Sequence, residues 1–375
     1  MTFESLQAIA ENNDVIIVDH DNYTRTPPHY YFSLRHALGF YFNTFNTINE
    51  RYDVYSRGLS EFSSLSNKDE FLDEENTVLA IVAFERFFEL FFKSILSLSH
   101  EKLAHTRAIG KKRNVSIEEL VDEIHKGTFQ PKQHNGKPLT IPFRETIDRF
   151  YNLVELHKKG STNPIVMKFG TTAEKYPFLD TENCKASMRL LNWYRDRILH
   201  NGNKLPSLWM LDYFVTQHLI PFIAEITHVE KEMLGESLFY FETETKINVI
   251  EELNTIKYDF EELFDKEKQE KICVDLLFIG HFKELGRANL NMNLFMRRNI
   301  QATYEYNYKD PKGRGIRFAK AEKNEHPNAV KIHPCPCCGV ESLVAYQESI
   351  DNIFHAGEKK LIDWIKCYTC QYHIR

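Results

Sequence analysis

Residues 77–96 read TVLAIVAFERFFELFFKSIL, and this stretch decides the fold class. It is apolar nearly all round, which predicts a helix at the centre of a helical bundle rather than one lying on a surface. Asp73-Glu74-Glu75-Asn76 precede it. Its few charges are Glu85, Arg86, Glu89 and Lys93. Positions 85, 89 and 93 recur at i, i+4 and form one polar stripe.

Other helices gather around this one. Tyr31, Leu34, Leu38, Phe42 and Phe45 space an aromatic helix over roughly 30–50, after the Pro27-Pro28 break. Further helices are expected over 117–125, 143–157, 183–200, 208–233 and 251–269. Residues 100–140 carry Gly127, Pro131, Gly136 and Pro138, and residues 160–180 carry Pro164, Gly170 and Pro177. Both stretches predict irregular insertions, near 100–140 and 160–180. The expected organisation is a helical domain over 1–235, a mixed α/β segment over 236–328 and a small β module over 329–375. Within the second segment, Tyr304, Tyr306 and Tyr308 alternate as in a strand, 310–313 predict a turn and 315–320 a short strand, and 329–333 predict another at the start of the third.

The chemistry concentrates in Trp193-Tyr194-Arg195-Asp196-Arg197-Ile198-Leu199-His200-Asn201-Gly202. Met188, Leu191, Ile198 and Leu199 supply the apolar face of a helix, and Asn201-Gly202 signals its end. Arg195 can stabilise phosphate charge, and His200 can move protons near neutral pH. Asp196 and His200, i and i+4, share a face. Arg195 lies roughly 140° from His200 on an ideal helix, so one helix does not hold the two side by side. The alternative is a solvated helix end, where a histidine in the last turn simply complements the helix dipole.

The pattern resembles the Arg-x(4–6)-His motif of HEPN-superfamily ribonucleases, which also place a polar residue after the arginine. Arg195–His200 is the only such spacing in the chain. Glu89-Leu90-Phe91-Phe92-Lys93 resembles the Glu-x-x-x-Lys that several HEPN families carry on an earlier helix. The resemblance covers roughly 30–235, and the two insertions depart from the compact family fold. It implies a HEPN-like bundle in which Glu89 and Lys93 join Arg195, Asp196 and His200 at the catalytic site. It also implies a homodimer in which two motifs meet at a composite cleft. Glu89 and Lys93 have a plainer reading as the bundle's polar stripe. The residue chemistry predicts metal-independent cleavage of RNA to 2′,3′-cyclic phosphate and 5′-hydroxyl ends, with His200 as acid or base and Arg195 on the phosphate. Many relatives are toxins or anti-phage effectors, so a phage-derived trigger is a further expectation of the resemblance. Members without nuclease activity exist, and a non-catalytic nucleic-acid-binding or regulatory protein is the alternative.

Four cysteines carry the most specific motif. Cys335-Pro336-Cys337-Cys338-Gly339 and Cys367-Tyr368-Thr369-Cys370 each contain Cys-x-x-Cys. Two such turns complete a tetrahedral four-cysteine zinc site, with Cys335, Cys338, Cys367 and Cys370 as ligands and Cys337 left over. The first turn resembles the Cys-Pro-x-Cys-Gly knuckle of zinc ribbons. A redox Cys-x-x-Cys is disfavoured by two matched pairs. Four cysteine ligands leave no open position, so the expected zinc is structural, in a ribbon expected to help bind nucleic acid or a trigger.

Charge reverses along the second half. Residues 230–271 hold 13 acids and 6 bases, whereas 281–331 hold 11 bases and 5 acids. The basic stretch includes Arg297, Arg298, Arg314, Arg317 and Lys320 among aromatic residues, a composition suited to phosphate and unpaired bases. A small β-domain with tyrosines in its core fits the same residues. The chain as a whole is at −6 and is not a generally basic nucleic-acid binder. No run of 18 or more uncharged apolar residues suggests a membrane span. The start, Met1-Thr2-Phe3-Glu4, lacks a signal-peptide pattern, so a cytoplasmic location is expected.

Overall fold

The computed structural model describes residues 29–44, 74–108, 115–201, 205–206, 208–234, 248–259, 279–280, 282–283, 286, 311–335, 340–349, 360–369 and 373–374. The protein is mainly α. Helix α1 (His29–Asn43) packs along α2 (Glu74–Ser99), the 26-residue helix of the opening stretch. A 3-10 turn (Glu101–Ala104) leads to α3 (Ile117–His125) and a two-residue hairpin, β1 (Gln133–His134) with β2 (Lys137–Pro138). Then follow α4 (Phe143–Lys158), α5 (Pro164–Ala173), α6 (Glu182–Asn201) and α7 (Leu208–Tyr213). A π-helical segment (Phe214–Leu219) continues into α8 (Ile220–Leu234), and α9 (Val249–Thr255) follows. Helix α10 (Pro311–Glu325) precedes an antiparallel sheet in the order β3 (Ala329–Pro334), β4 (Glu341–Ser349), β5 (Lys360–Cys367), β6 (His373–Ile374).

Helix α2 is central, as its composition requires. Phe84, Phe87, Phe88, Phe91 and Phe92 are completely buried, each contributing about 2 kcal/mol of apolar burial. Edge-on aromatic contacts carry the packing outward. Phe92 meets Phe150 of α4 at 4.9 Å, and Phe150 meets Phe169 of α5 at 5.4 Å. The polar stripe of α2 is not solvated. Glu85 and Lys93 are both buried.

The insertion expected near 100–140 contains one helix, α3, at its expected bounds. Asn135 and Gly136 turn the β1–β2 hairpin with φ of 49° and 76°, the conformation a two-residue hairpin demands. The stretch near 160–180 is more regular than expected. Asn163 accepts the Ile165 N–H and Pro164 occupies the first turn, so the pair starts α5 where a break was expected.

The turn expected over 310–313 and the strand over 315–320 are replaced by α10. Proline at the first helical position sacrifices no hydrogen bond, and packing overrides the weak propensity of two glycines. Gly315 is buried so closely against Thr369 that a methyl there would overlap the threonine's Oγ1 and Cβ. Ala319 packs with Val344 and Tyr346 on that face of the sheet, whereas Leu343 and Ala345 belong to the main core. Strand β3 covers the expected 329–333. The acidic helix expected over 251–269 is α9 as far as Thr255, and residues 256–259 are not helical. The tyrosine strand over 303–308 lies outside the described residues.

The main buried cluster extends past residue 235: Val249, Ile250, Leu253, Ile256, Tyr258 and Ile279 all belong to it. Lys283 is fully buried 2.7 Å from Asp212, which also accepts the Tyr41 hydroxyl. A charge this deep is tolerable only with such a partner.

Candidate functional site

Helix α6 presents one face to α4. Residues 189, 192, 193, 196, 197 and 200 recur at three- and four-residue steps, so they line up on that face. With Arg144, Ile147 and Asp148 of α4 they line a groove of about 700 Å³. Arg189 Nη2 reaches Asp148 Oδ1 across it at 3.5 Å. The Arg197 guanidinium lies 4.2 Å from the centre of the Trp193 ring. Trp193 is 45% exposed and His200 is also exposed, so both are open to a ligand.

The α4 wall is held from behind. Arg149 is buried and donates from Nη1 to the carbonyls of Leu103 and His105, both at 2.9 Å, and from Nη2 to Glu145 at 2.6 Å. This ties α4 to the chain leaving α2 and fixes the wall against which α6 sits.

The expected catalytic residues divide into two places. Asp196 and His200 share the groove wall, as their spacing requires. Arg195 leaves toward α2: its Nη1 donates to Asp196 Oδ1 at 2.9 Å, and its Nε is 3.9 Å from Glu85 Oε1. Asn192 donates to the other Asp196 oxygen at 3.0 Å. Asp196 is therefore oriented by Arg195 and Asn192 and is not tied to His200. Burial pushes the Glu85 carboxyl up to about 7, and the neighbouring Glu89 charge adds to this, while Arg195 opposes it.

Glu89 and Lys93 do not line the groove. They pair with each other, Glu89 also accepts from Arg86 at 3.0 Å, and Lys93 donates to Thr140 at 3.2 Å. This is the behaviour of an internal polar stripe. The groove residues to which the sequence alone assigned no role are Arg144, Ile147, Asp148, Arg189, Asn192, Trp193 and Arg197. The α6 members were legible as a helical face around Asp196 and His200. The α4 members carried no local signal, because their proximity is tertiary.

Another nucleophile–base pair is enclosed. Ser187 Oγ lies 3.3 Å from His218 Nδ1, but Ser187 is 1% exposed and donates to the Asn183 carbonyl. Burial holds His218 below the usual histidine range. No substrate reaches this hydroxyl without opening the core.

At the C-terminal sheet, antiparallel order puts the β3–β4 and β5–β6 turns at the same end. These are the turns that contain the two Cys-x-x-Cys motifs. Cys335 and Cys367 are both fully buried there. Cys335 N–H donates to the Val340 carbonyl at 2.9 Å, closing one turn. Thr369 N–H points at Cys367 Sγ at 3.3 Å, and Ser342 Oγ is also 3.3 Å from it. A backbone amide aimed at a cysteine sulfur favours thiolate, the form that binds metal. The chemistry of these two cysteines is compatible with a metal-binding thiolate. Cys337, Cys338 and Cys370 lie outside the described residues, and among the described ones no group of three or more metal-ligating side chains gathers.

Of the expected nucleic-acid contacts, Arg314, Arg317 and Lys320 fall on α10, with Arg317 and Lys320 exposed beside Phe318 at 48%. Arg297 and Arg298 lie outside the described residues. Among the described residues no helix is long and apolar enough to cross a membrane. Comparison of the chain with protein-family models, with curated proteins and with solved structures found no match in any of the three.

Proposed function

We propose that this protein is a metal-independent, HEPN-type endoribonuclease that leaves 2′,3′-cyclic phosphate and 5′-hydroxyl ends. The observation that carries the reading is the α4–α6 groove, where Asp196 and an exposed His200 stand among Arg144, Arg189 and Arg197. His200 acts as base on the ribose 2′-hydroxyl or as acid on the leaving 5′-oxygen. The groove arginines receive the phosphate charge. Arg195, with Glu85 behind it, holds Asp196 within one protomer. In a homodimer, two motif helices form the composite cleft and Arg195 adds its charge to the phosphate. Zinc held by Cys335, Cys338, Cys367 and Cys370 supplies a structural staple for the C-terminal sheet, with no part in the chemistry. A role as toxin or anti-phage effector, released by a phage-derived trigger, completes the reading.

The second reading is a non-catalytic RNA-binding protein, favoured by the exposed Arg317, Phe318 and Lys320 on α10. The two separate in one assay, run in buffer and again in infected-cell extract that supplies the proposed trigger. Wild type, Arg195→Ala and His200→Ala are incubated with total RNA in magnesium-free buffer containing EDTA, and fragment ends are analysed. Loss of an acid–base group lowers the rate by about 100-fold or more. Unchanged cleavage by His200→Ala sinks the catalytic assignment.

A further inference from the structure

We infer that the α4–α6 groove binds single-stranded RNA by stacking an unpaired base on Trp193. This deepens the ribonuclease reading and rests on it for the identity of the nucleic acid. Three observations carry the inference. Trp193 is a large apolar side chain left 45% exposed in the wall of a groove. Arg197 lies 4.2 Å over one face of the ring, which orders the indole, so a base would stack on the opposite face. Arg144 and Arg189 stand on the two walls, where successive phosphates of one strand pass. Asp148 and Asp196 lie in the same groove, Asp148 facing Arg189 at 3.5 Å and Asp196 accepting from Arg195 at 2.9 Å. Bases within a duplex are stacked on their neighbours and offer no free face, so the indole selects an unpaired one.

The test uses the full-length protein and a fluorescein-labelled 12-nucleotide RNA carrying 2′-O-methyl groups throughout. That probe cannot be cleaved through its 2′-oxygen, so anisotropy reads binding alone. Trp193→Ala is expected to weaken binding roughly tenfold or more, and Trp193→Phe, which keeps a stacking face, by about threefold at most. The same sequence as a blunt duplex should bind at least tenfold more weakly than the single strand. Equal affinity of wild type and Trp193→Ala overturns the inference, as does equal competition by polyglutamate. Thermal melts of both variants establish that they are folded. Binding that depends on Trp193 in a protein that cleaves no RNA, even in infected-cell extract that supplies the proposed trigger, would keep this inference and discard the nuclease. Cleavage lost in His200→Ala, with binding insensitive to Trp193, would do the reverse.

Discussion

Arg195 of the motif helix sits with its Nε 3.9 Å from Glu85 Oε1 on the central helix, and that nitrogen is buried with no hydrogen-bond partner. The contact joins the arginine–histidine motif to the central helix of the bundle. It is loose for an ion pair, and the Glu85 carboxyl, pushed up to about 7, is only partly ionised at neutral pH.

Glu85 therefore makes stability fall as pH rises. Its acidity is lower in the folded protein than in the unfolded chain, so its favourable contribution is complete below about pH 4.5 and lost as pH climbs through about 7. Relative to Glu85→Gln, wild type should lose roughly 3 kcal/mol between pH 4.5 and 8. Denaturant titrations of both proteins across that range would show it. Parallel curves would mean that Glu85 stays in one protonation state throughout.

The Glu89–Lys93 pair is expected to matter for stability rather than chemistry. Their side chains are 12% and 10% exposed. Glu89→Ala leaves a nearly buried ammonium without its carboxylate and should cost about 3 kcal/mol. Lys93→Met should cost less, because Glu89 keeps Arg86. Thermal melts order the two. If Glu89→Ala instead abolishes RNA cleavage without moving the melt, Glu89 belongs to the site and the groove assignment is incomplete.

Zinc content tests the C-terminal sheet. Elemental analysis of protein purified without added metal should give about one zinc per chain, with most of it lost in Cys335→Ser and Cys367→Ser. A metal-free wild type with an intact sheet would leave the four cysteines without the proposed role.

Gly315 provides an independent handle on that module. A methyl there meets Thr369, whose N–H points at Cys367 Sγ, so Gly315→Ala must push α10 away from the turn. The expected loss is about 1–3 kcal/mol for the sheet unit, with reduced zinc retention. Lys320→Ala, on the exposed side of the same helix, is the control. Equal zinc retention in the two variants would show that the turn tolerates the shift.

What the sequence determined is what repeats at short range. The apolar content of 77–96, nearly all round the helix, settled that this helix is central, because burial on most sides is what accommodates it. The i, i+4 steps put Glu85, Glu89 and Lys93 on one stripe and Asp196 with His200 on one face, and helix geometry alone ensures both. The paired Cys-x-x-Cys spacing marked two turns that belong together. Tertiary structure decided what local rules leave open. It buried the α2 stripe, turned Arg195 toward Glu85 and brought Arg144 and Asp148 of α4 opposite Trp193 and Arg197. It also made 311–325 a helix despite Gly313 and Gly315, since the close approach of Gly315 to Thr369 leaves room for nothing larger. These outcomes depend on partners far away in the chain, and packing against them outweighs the few tenths to 1 kcal/mol per residue that separate local preferences.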